Sequence, residues 1–376
     1  METNLIRKKP RLIAFYLPQY HPIPENDEWW GKGFTEWSNV AKAKPLFRGH
    51  YQPHLPADLG FYDLRVPEVR EQQAELAREA GIEGFCYYHY WFNGKQLLDR
   101  PFREVLESGK PDFPFCLCWA NENWTKRWDG LENEILIEQH YSEQDDFDHI
   151  HALLPALRDP RYIRVDGKPL LLIYRLSDLP NPRRTVEIWR EVAASEGIGE
   201  LFLCKVMSNA RERSDPSLAG LDASVDFQPD WTMVNDLKKR SYILKRLIKY
   251  FPNFITNKIS FFQNKIVRYD DLVTVATTKE EMLWLNFPCV FPSWDNSPRK
   301  KQGATIVSEA SPEKFQAWLG KTMQSLIKKE NSPNLLFINA WNEWGEGCHL
   351  EPDRKFGNGN LLAIKQALTE IECSQK

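Results

Sequence analysis

The sequence has little of what marks secreted or membrane proteins. Its seven cysteines are odd in number and lack the spacing of a zinc or redox motif, so they read as reduced thiols. The first apolar run, residues 12–17, follows a polar and basic start and is too short for a signal-peptide core or a membrane span. These absences favour a cytoplasmic protein.

Charge of one sign is not in excess, and metal-binding motifs are scarce. The net charge of −3 argues against a general nucleic-acid binder. The one short acidic motif, Asp-Phe-Asp at residues 146–148, falls in a predicted helix and is typical of solvated surface. His50 and His54 have helical metal spacing, but Pro53 lies between them. We therefore expect no metal and no cofactor.

Aromatic residues are abundant, with 14 Trp, 13 Tyr and 21 Phe, and many follow predicted strands. Aromatic side chains at strand ends suggest a carbohydrate cleft, and a thick aromatic core is the alternative. Apolar residues at 42% and charged residues at 27% describe an ordinary globular protein. A length of 376 residues suits one barrel of about 250 residues with insertions.

Eight short apolar segments alternate with helical patterns. The predicted strands cover residues 12–17, 82–90, 113–119, 169–174, 201–206, 225–228 and 289–292 and a run from Leu335, and the predicted helices cover 66–80, 145–157, 185–196 and 312–329. This alternation predicts an α/β protein with a (β/α)8 TIM barrel, forming a single domain over residues 1–376. Catalytic residues of this fold follow the carboxyl ends of the strands.

Two segments are longer than the usual connections between strands and helices. A long aromatic loop follows the first strand, and its length and composition indicate function. A basic insertion at residues 232–283 separates strands six and seven, and residues 237–268 contain no acidic side chain. A helix there would have one apolar and one cationic face, which could pack on the barrel or contact an anionic membrane. We favour packing; either arrangement would bring phosphate-bearing groups near the site.

The segment after the eighth predicted strand carries the clearest catalytic signal. Glu343 and Glu346 follow a fully apolar run, and in a helical turn this spacing puts two Cβ atoms roughly 5–6 Å apart on one face. A retaining glycosidase needs two carboxyl groups about 5–5.5 Å apart. The alternative is an ordinary helix start beside core tryptophans.

Further residues at strand ends and in the aromatic loop are candidates for substrate binding. Trp341 and Trp344 offer flat apolar faces on which sugar rings stack, and Glu122 is a strand-end carboxylate that rivals either glutamate of the pair. The predicted substrate-binding residues are Gln19, His21, Trp37, Tyr88, His89, Glu122, Trp124, Tyr174, Trp294, Asp295, Trp341, Asn342, Trp344 and Glu351.

Several separated motifs resemble known families. Residues 341–347 (WNEWGEG) with 350–352 (LEP) resemble the catalytic segment of glycoside hydrolase family 99, the endo-α-mannosidases. Residues 15–21 (FYLPQYH), 33–37 (GFTEW), 119–124 (WANENW) and 294–299 (WDNSPR) resemble the WbsX family, described as glycosyltransferases of bacterial cell-surface polysaccharide synthesis. The resemblance spans nearly the whole chain.

The resemblance implies a (β/α)8 barrel and a retaining reaction at a glycosidic bond. Glu346 matches the acid/base of family 99, and Glu343 matches the residue that deprotonates the sugar's own 2-hydroxyl, so that the substrate supplies the internal nucleophile. In the ordinary retaining scheme the second carboxylate attacks directly. Both schemes need a proton donor whose pKa is raised by an apolar setting, which Trp341 and Trp344 would furnish.

We therefore predict a metal-independent enzyme that cleaves or transfers glycosyl units, acting on an oligosaccharide or a lipid-linked glycan in O-antigen or capsule synthesis. One alternative is a glycosyltransferase that uses an activated sugar donor. A second alternative is a noncatalytic glycan-binding protein.

Overall fold

Eight parallel strands close into a barrel in the computed structural model, which describes residues 9–126, 131–238, 264–300, 302–329 and 332–375, with the backbone alone at 126 and 131–134. The strands are β1 (Arg11–Tyr16), β2 (Gly84–Phe92), β3 (Phe115–Trp119), β4 (Lys168–Ile173), β5 (Phe202–Val206), β6 (Ala223–Asp226), β7 (Asn286–Val290) and β8 (Leu335–Ile338). Each strand pairs with the next along the chain, and β1 lies between β2 and β8. The predicted (β/α)8 barrel is confirmed.

Helices connect the strands and cover the barrel. In the described part of the chain they are α1 (Pro24–Trp30), α2 (Glu36–Lys42), α3 (Pro67–Ala80), α4 (Arg100–Ser108), α5 (Glu143–Arg158), α6 (Pro182–Ser195), α7 (Tyr269–Thr278), α8 (Pro312–Ile327) and α9 (Gly359–Ser374), and residues 231–238 are also helical. The starts of α5 and α8 are capped, since the hydroxyls of Ser142 and Ser311 accept from backbone N–H groups three residues on. The helix α9 packs on both α8 and α3.

An aromatic layer fills the barrel below its carboxyl end. The Phe15 ring lies 5.3 Å from Phe227 and 5.5 Å from Phe337, and it stacks on Tyr88 at 5.6 Å between centroids. Every residue of β8 is fully buried, as its apolar run predicts. Part of the aromatic content therefore forms the core, as the alternative interpretation of the composition held.

The segment between β1 and α3, residues 17–66, is called the β1 loop below. The long aromatic loop predicted from the sequence contains two short helices, α1 and α2. Pro24 suits the first turn of α1, and at the start of α2 the Ser38 hydroxyl accepts from Thr35 N at 3.4 Å. Glu36 N donates to Gln19 O at 3.1 Å, which folds α2 back over the mouth of the barrel.

The basic insertion is described only at its two ends, because residues 239–263 lie outside the described part of the chain. At its far end Lys265–Arg268 forms a strand that pairs in parallel with Thr305–Ser308. The expected basic helix over residues 237–268 is thus wrong for these four residues, which hydrogen-bond into a small second sheet. No helix within the described ranges combines the length and the apolarity needed to cross a membrane.

Candidate active site

A cavity of about 480 Å³ opens at the carboxyl ends of the barrel strands, where active sites of this fold lie. Among the residues that line it are Gln19 after β1, Tyr88 of β2, Glu122 and Trp124 after β3, Tyr174 after β4, Phe227 after β6, Trp294, Asn296 and Arg299 after β7, and Glu343 and Glu346 after β8. It is called the central cavity below. Both predicted catalytic carboxylates therefore face the same space.

Arg299 joins the two glutamates. Its Nη2 donates to Glu343 Oε2 at 2.8 Å, and its Nη1 lies 2.8 Å from Glu346 Oε1. Only 13% of the arginine side chain is exposed, against 8% for Glu343 and 22% for Glu346. One guanidinium thus fixes the positions of two carboxylates and leaves Glu346 the more open of the pair.

The local backbone at the two glutamates is not the predicted helical turn. Asn342–Glu343 is a two-residue strand that pairs antiparallel with Cys348–His349, and Trp344–Glu346 is a single 3-10 turn between them. Gly347 ends this turn at φ 56°, a left-handed conformation that glycine adopts readily. The turn is thus of the 3-10 type and not α-helical, and Arg299 contacts the carboxylates at both of its ends.

Glu36 supplies a third carboxylate, and we call Glu36, Arg299, Glu343 and Glu346 the charge cluster. The Glu36 side chain is fully buried, and its Oε1 accepts from Arg299 Nε at 2.7 Å. Gly345 makes this contact possible, because a Cβ at that position would lie 1.7 Å from Glu36 Oε1 and 2.8 Å from Arg299 Nε. The glycine of the WGE turn is thus required by close packing.

Burial dominates the electrostatics of the charge cluster. It raises the pKa of Glu343 and of Glu346 above the ordinary glutamate value, the positive charge of Arg299 opposes this rise, and the carboxylate of Glu36 adds to it. Three carboxylates share one guanidinium, so the cluster favours retention of a proton near neutral pH. This suits a site that needs one protonated and one ionised carboxyl group.

Asn342 and Tyr20 attach the catalytic turn to the end of β1. The Asn342 side chain accepts from Leu17 N at 2.7 Å and donates to Leu17 O at 2.9 Å. The Tyr20 hydroxyl donates to Asn342 O and accepts from Trp344 N. Asn342 was predicted to bind substrate, but it is fully buried and its amide is engaged with backbone, so it positions the turn.

Trp341, Trp344 and Glu351 lie behind the turn and not in the cavity. Both tryptophans are at most 1% exposed, so the expectation that their rings offer stacking faces was wrong. Glu351 is equally buried; its Oε2 accepts from Trp344 Nε1 at 2.6 Å and from the Tyr62 hydroxyl at 2.8 Å, and its Oε1 accepts from Gln73 Nε2 at 2.6 Å. Burial raises the pKa of Glu351 to about 7, although these hydrogen bonds lower it. Trp341, Trp344 and Glu351 are thus packed in the protein interior and do not reach the central cavity.

The predicted substrate-binding residues divide into two groups. Those that line the central cavity are Gln19, Tyr88, Glu122, Trp124, Tyr174 and Trp294. Those outside its wall are His21, Trp37, His89, Asp295, Trp341, Asn342, Trp344 and Glu351. In the second group, Asp295 accepts from Gln52 Nε2 at 2.7 Å and contacts His50 Nε2 at 2.6 Å, and His89 Nε2 lies 3.1 Å from His149 Nε2. These side chains are occupied by protein partners.

Several residues that line the central cavity were not among the predicted site residues. Arg299 lies in the WDNSPR motif, and Arg175 lies two residues after the end of β4, so their positions in the sequence could have indicated both. Arg175 Nε donates to Glu122 Oε1 at 2.8 Å. Trp29 and Trp30 of α1 also line the cavity, and Trp29 packs edge-on against Trp124 at 5.9 Å. The β1 loop and the segment after β3 therefore contribute three tryptophans to the aromatic wall of the cavity.

The WDNSPR, WANENW and WNEWGEG motifs thus converge on one cavity, and the family can be assigned. The sequence profile described as Glycosyltransferase WbsX matches residues 12–364. The chain belongs to the WbsX family. Two relatives, both called uncharacterized protein WxcX and found in two strains of Xanthomonas campestris pv. campestris, are 44% identical to it over 359 residues. The match covers 95% of this chain but 49% of each relative, so the WbsX chain spans about half their length.

Solved structures show the same fold as this WbsX chain. The GH99 endo-alpha-mannosidase from Bacteroides thetaiotaomicron has a TM-score of 0.56 and 14% identity, over 97% of this chain and 98% of that one. A glycoside hydrolase-like protein has a TM-score of 0.56 and 14% identity, over 98% and 95% of the two chains. At this identity the likeness establishes the fold, and the predicted family 99-like barrel is confirmed.

Proposed function

We propose that this chain is a retaining, glycan-active enzyme in which Glu346 is the acid/base and Glu343 is the base. The observation that carries the proposal is the attachment of both carboxylates to Arg299 at the wall of the central cavity. The WbsX family description and the GH99-like barrel support activity on glycans. The sugar-stacking surface would be the wall of Trp29, Trp30 and Trp124.

The division of roles follows from exposure. Glu346 is the more exposed carboxyl group, so it would reach the glycosidic oxygen and donate a proton to it as the bond from that oxygen to C1 breaks. Burial raises the pKa of both carboxyl groups, that of Glu343 to about 8, so exposure and not pKa divides the roles. Glu343 lies deeper against Arg299 and would accept the proton of the 2-hydroxyl as O2 attacks C1. The attack of O2 on C1 would close a three-membered ring. Glu346 would then deprotonate water or an acceptor hydroxyl, whose oxygen attacks C1 and breaks the bond from C1 to O2, while O2 takes its proton back from Glu343.

The proposed setting is bacterial cell-surface polysaccharide synthesis, with an oligosaccharide or a lipid-linked glycan as substrate. The family description names a glycosyltransferase, which supports action on glycans; the setting and the substrate are part of the proposal. Contact with an anionic membrane through residues 237–268 is a further part of the proposal. If the protein floats equally with anionic and with neutral liposomes, the proposed membrane contact is wrong. That result would not bear on the proposed reaction.

Glu343→Gln and Glu346→Gln test the chemistry. Each variant should bind glycans like the parent but lose turnover by about 10²–10⁴-fold on a panel of aryl glycosides and oligosaccharides, the usual contribution of a general acid or base. Glu346→Gln should lose least on aryl glycosides with good leaving groups, because these need little protonation. The product anomer, read by NMR at early times, should keep the configuration of the substrate.

The exposed Glu187 of α6 offers a control, since Glu187→Gln removes a carboxylate that does not line the central cavity. If both cluster variants matched the parent across the panel, catalysis by this pair would be wrong, and a noncatalytic glycan-binding protein would be the better description. An inverted product would exclude the retaining scheme.

A transferase that uses an activated donor is the second candidate. Its support is the family description together with three cationic side chains in the cavity wall, Arg175, Lys265 and Lys300, which suit a phosphate-bearing donor. Incubation with nucleotide sugars, with divalent metal or with chelator, separates the two candidates. Metal-dependent release of the nucleotide would favour this candidate over the proposed one.

A further inference from the structure

A group of potential metal ligands lies behind the catalytic turn, outside the wall of the central cavity. His54 Nδ1 is 3.2 Å from His349 Nε2, and His349 Nε2 is 3.7 Å from Asp353 Oδ2. All three atoms lie within 4.8 Å of one another. Zinc bonds of about 2.0–2.2 Å at tetrahedral angles put ligand atoms roughly 3.3 Å apart, so small side-chain rotations would complete the geometry.

The hydrogen bonds of His349 leave its Nε2 lone pair directed at the group. Its Nδ1 lies 3.1 Å from Glu351 O, which can only accept, so Nδ1 carries the proton and Nε2 does not. An imidazole whose far N–H donates to a backbone carbonyl is the usual arrangement around a metal-bound histidine.

Asp353 is held with one oxygen free to face the two histidines. Its Oδ1 accepts from Lys355 N at 2.8 Å and from Phe356 N at 2.6 Å, which fixes the carboxylate, and its Oδ2 points toward His349 Nε2. Two lone-pair atoms, Nε2 and Oδ2, thus approach each other in a site where His349 and Asp353 are at most 4% exposed. A cation bound by both atoms would replace the hydrogen bond that His54 Nδ1 can donate to His349 Nε2 at 3.2 Å. His54 is half-buried, which leaves a route for an ion to enter.

We propose that His54, His349 and Asp353 bind a divalent transition-metal cation, best matched by zinc, which fastens the β1 loop to the segment that follows the catalytic glutamates. Two imidazole nitrogens and one carboxylate oxygen are ligands that zinc prefers, and three protein ligands leave a fourth position for water.

The ion would act as a structural link and not in the reaction. Backbone bonds already join the two segments, from Ala57 N to Pro352 O at 3.0 Å and from Arg354 N to Leu55 O at 2.9 Å. His349 stacks on Trp344, with centroids 3.6 Å apart, and its strand pairs with Asn342–Glu343. Metal binding would therefore stiffen the turn that carries Glu343 and Glu346. This inference is independent of which sugar is processed.

Calorimetric titration of tag-free, chelator-treated protein with zinc chloride tests the proposal, followed by thermal unfolding with and without the metal. We expect one ion per chain and a higher Tm with zinc. Cobalt substitution should produce the visible absorption of a tetrahedral centre.

Asp353→Asn and His54→Gln are the ligand variants, since both keep the shape of the site while His349→Ala would also remove the stack on Trp344. Each should weaken zinc binding by at least about tenfold, because even the loss of a group that only hydrogen-bonds to a metal ligand costs about 10–100-fold. His140→Gln, at an exposed histidine, and Glu346→Gln should bind zinc like the parent.

Absence of saturable zinc binding would overturn the proposal, as would parent-like affinity in Asp353→Asn and His54→Gln. Loss of zinc binding in Glu346→Gln would also overturn it, because the ion would then lie on the charge cluster. None of these three results bears on turnover by Glu343 and Glu346, so the two proposals fail separately.

Discussion

Arg299 is the residue on which the charge cluster depends. Its guanidinium contacts Glu36 through Nε, Glu343 through Nη2 and Glu346 through Nη1, so each nitrogen has its own carboxylate. A fixed fork of this kind orients several anions at once, which a lysine ammonium would not do. We therefore regard Arg299 as a positioning residue for the proposed reaction.

Replacing Arg299 should change the pH dependence as well as the rate. The guanidinium lowers the pKa of Glu343 and Glu346, so Arg299→Gln raises both, and the acidic limb of the kcat/KM profile should move to higher pH. The loss in kcat should be roughly 10²-fold, as for other preorganised electrostatic groups. Arg183→Gln, at an exposed position of α6, should leave the profile unchanged. An acidic limb that stays in place would contradict the assignment.

Gly345 gives a second prediction at this scale, with a matched glycine elsewhere. In Gly345→Ala the new Cβ would collide with the fully buried Glu36 and with Arg299, so we expect a loss of about 1–3 kcal/mol in stability and a large loss of turnover. In Gly320→Ala of α8 no atom lies within 4 Å of the new Cβ, and stability should rise by roughly 0.5–1 kcal/mol. Chemical denaturation and turnover of both variants check this pair.

At the scale of elements, the loop after β8 is supported by the buried carboxyl group of Glu351. Its folded pKa of about 7 lies above the ordinary value of 4.5, so the folded state binds the proton more tightly than the unfolded chain. The stabilisation from this proton is complete below about pH 4.5 and is lost as the pH rises through 7.

Glu351→Gln should therefore be less stable than the parent, by about 1–3 kcal/mol, because its amide NH₂ would oppose N–H and O–H donors. The difference in the free energy of unfolding between parent and variant should be larger at pH 4.5 than at pH 7.5. Urea denaturation at both pH values measures it. A difference that grows with pH would mean that the folded pKa of Glu351 is depressed, contrary to the burial argument.

The elements also show what local sequence could predict. The run at residues 335–338 is apolar on both faces, so it identified β8 and placed Glu343 and Glu346 beyond a strand end. The contact between Glu36 and Arg299 spans 263 residues, and no local pattern indicates it. Trp344 and Trp124 look alike in sequence as candidate sugar platforms, yet only Trp124 lines the cavity. Which way an aromatic ring faces depends on distant packing partners, such as His349 and Trp37 for Trp344.

At the scale of the whole molecule, the barrel is completed by contacts between the two ends of the chain. The helix α9 lies against α8 and α3, and Leu368 packs directly over Gly81 at the end of α3. Apolar side chains of α9 thus hold an early helix of the chain in place. The described part of the barrel should unfold as one unit, since β1 pairs with both β2 and β8.

Two leucines of α9 test this contribution. Leu368 is 7% exposed, and Leu368→Ala should lower the free energy of unfolding by about 2–5 kcal/mol. Leu362, on the outer face, is 53% exposed, and Leu362→Ala should change it by less than about 0.5 kcal/mol. Denaturation curves followed by circular dichroism provide the comparison. Equal effects would show that α9 does not anchor the barrel.

The pairing of Arg11 with Leu335 has a consequence for synthesis on the ribosome. At about 5–20 residues per second, some 15 to 65 seconds separate the emergence of these two strands, and during that interval the first strand has one open edge. An apolar edge is prone to pair with other chains. Nascent polypeptides that stop before the last strand should therefore depend on chaperones to escape aggregation.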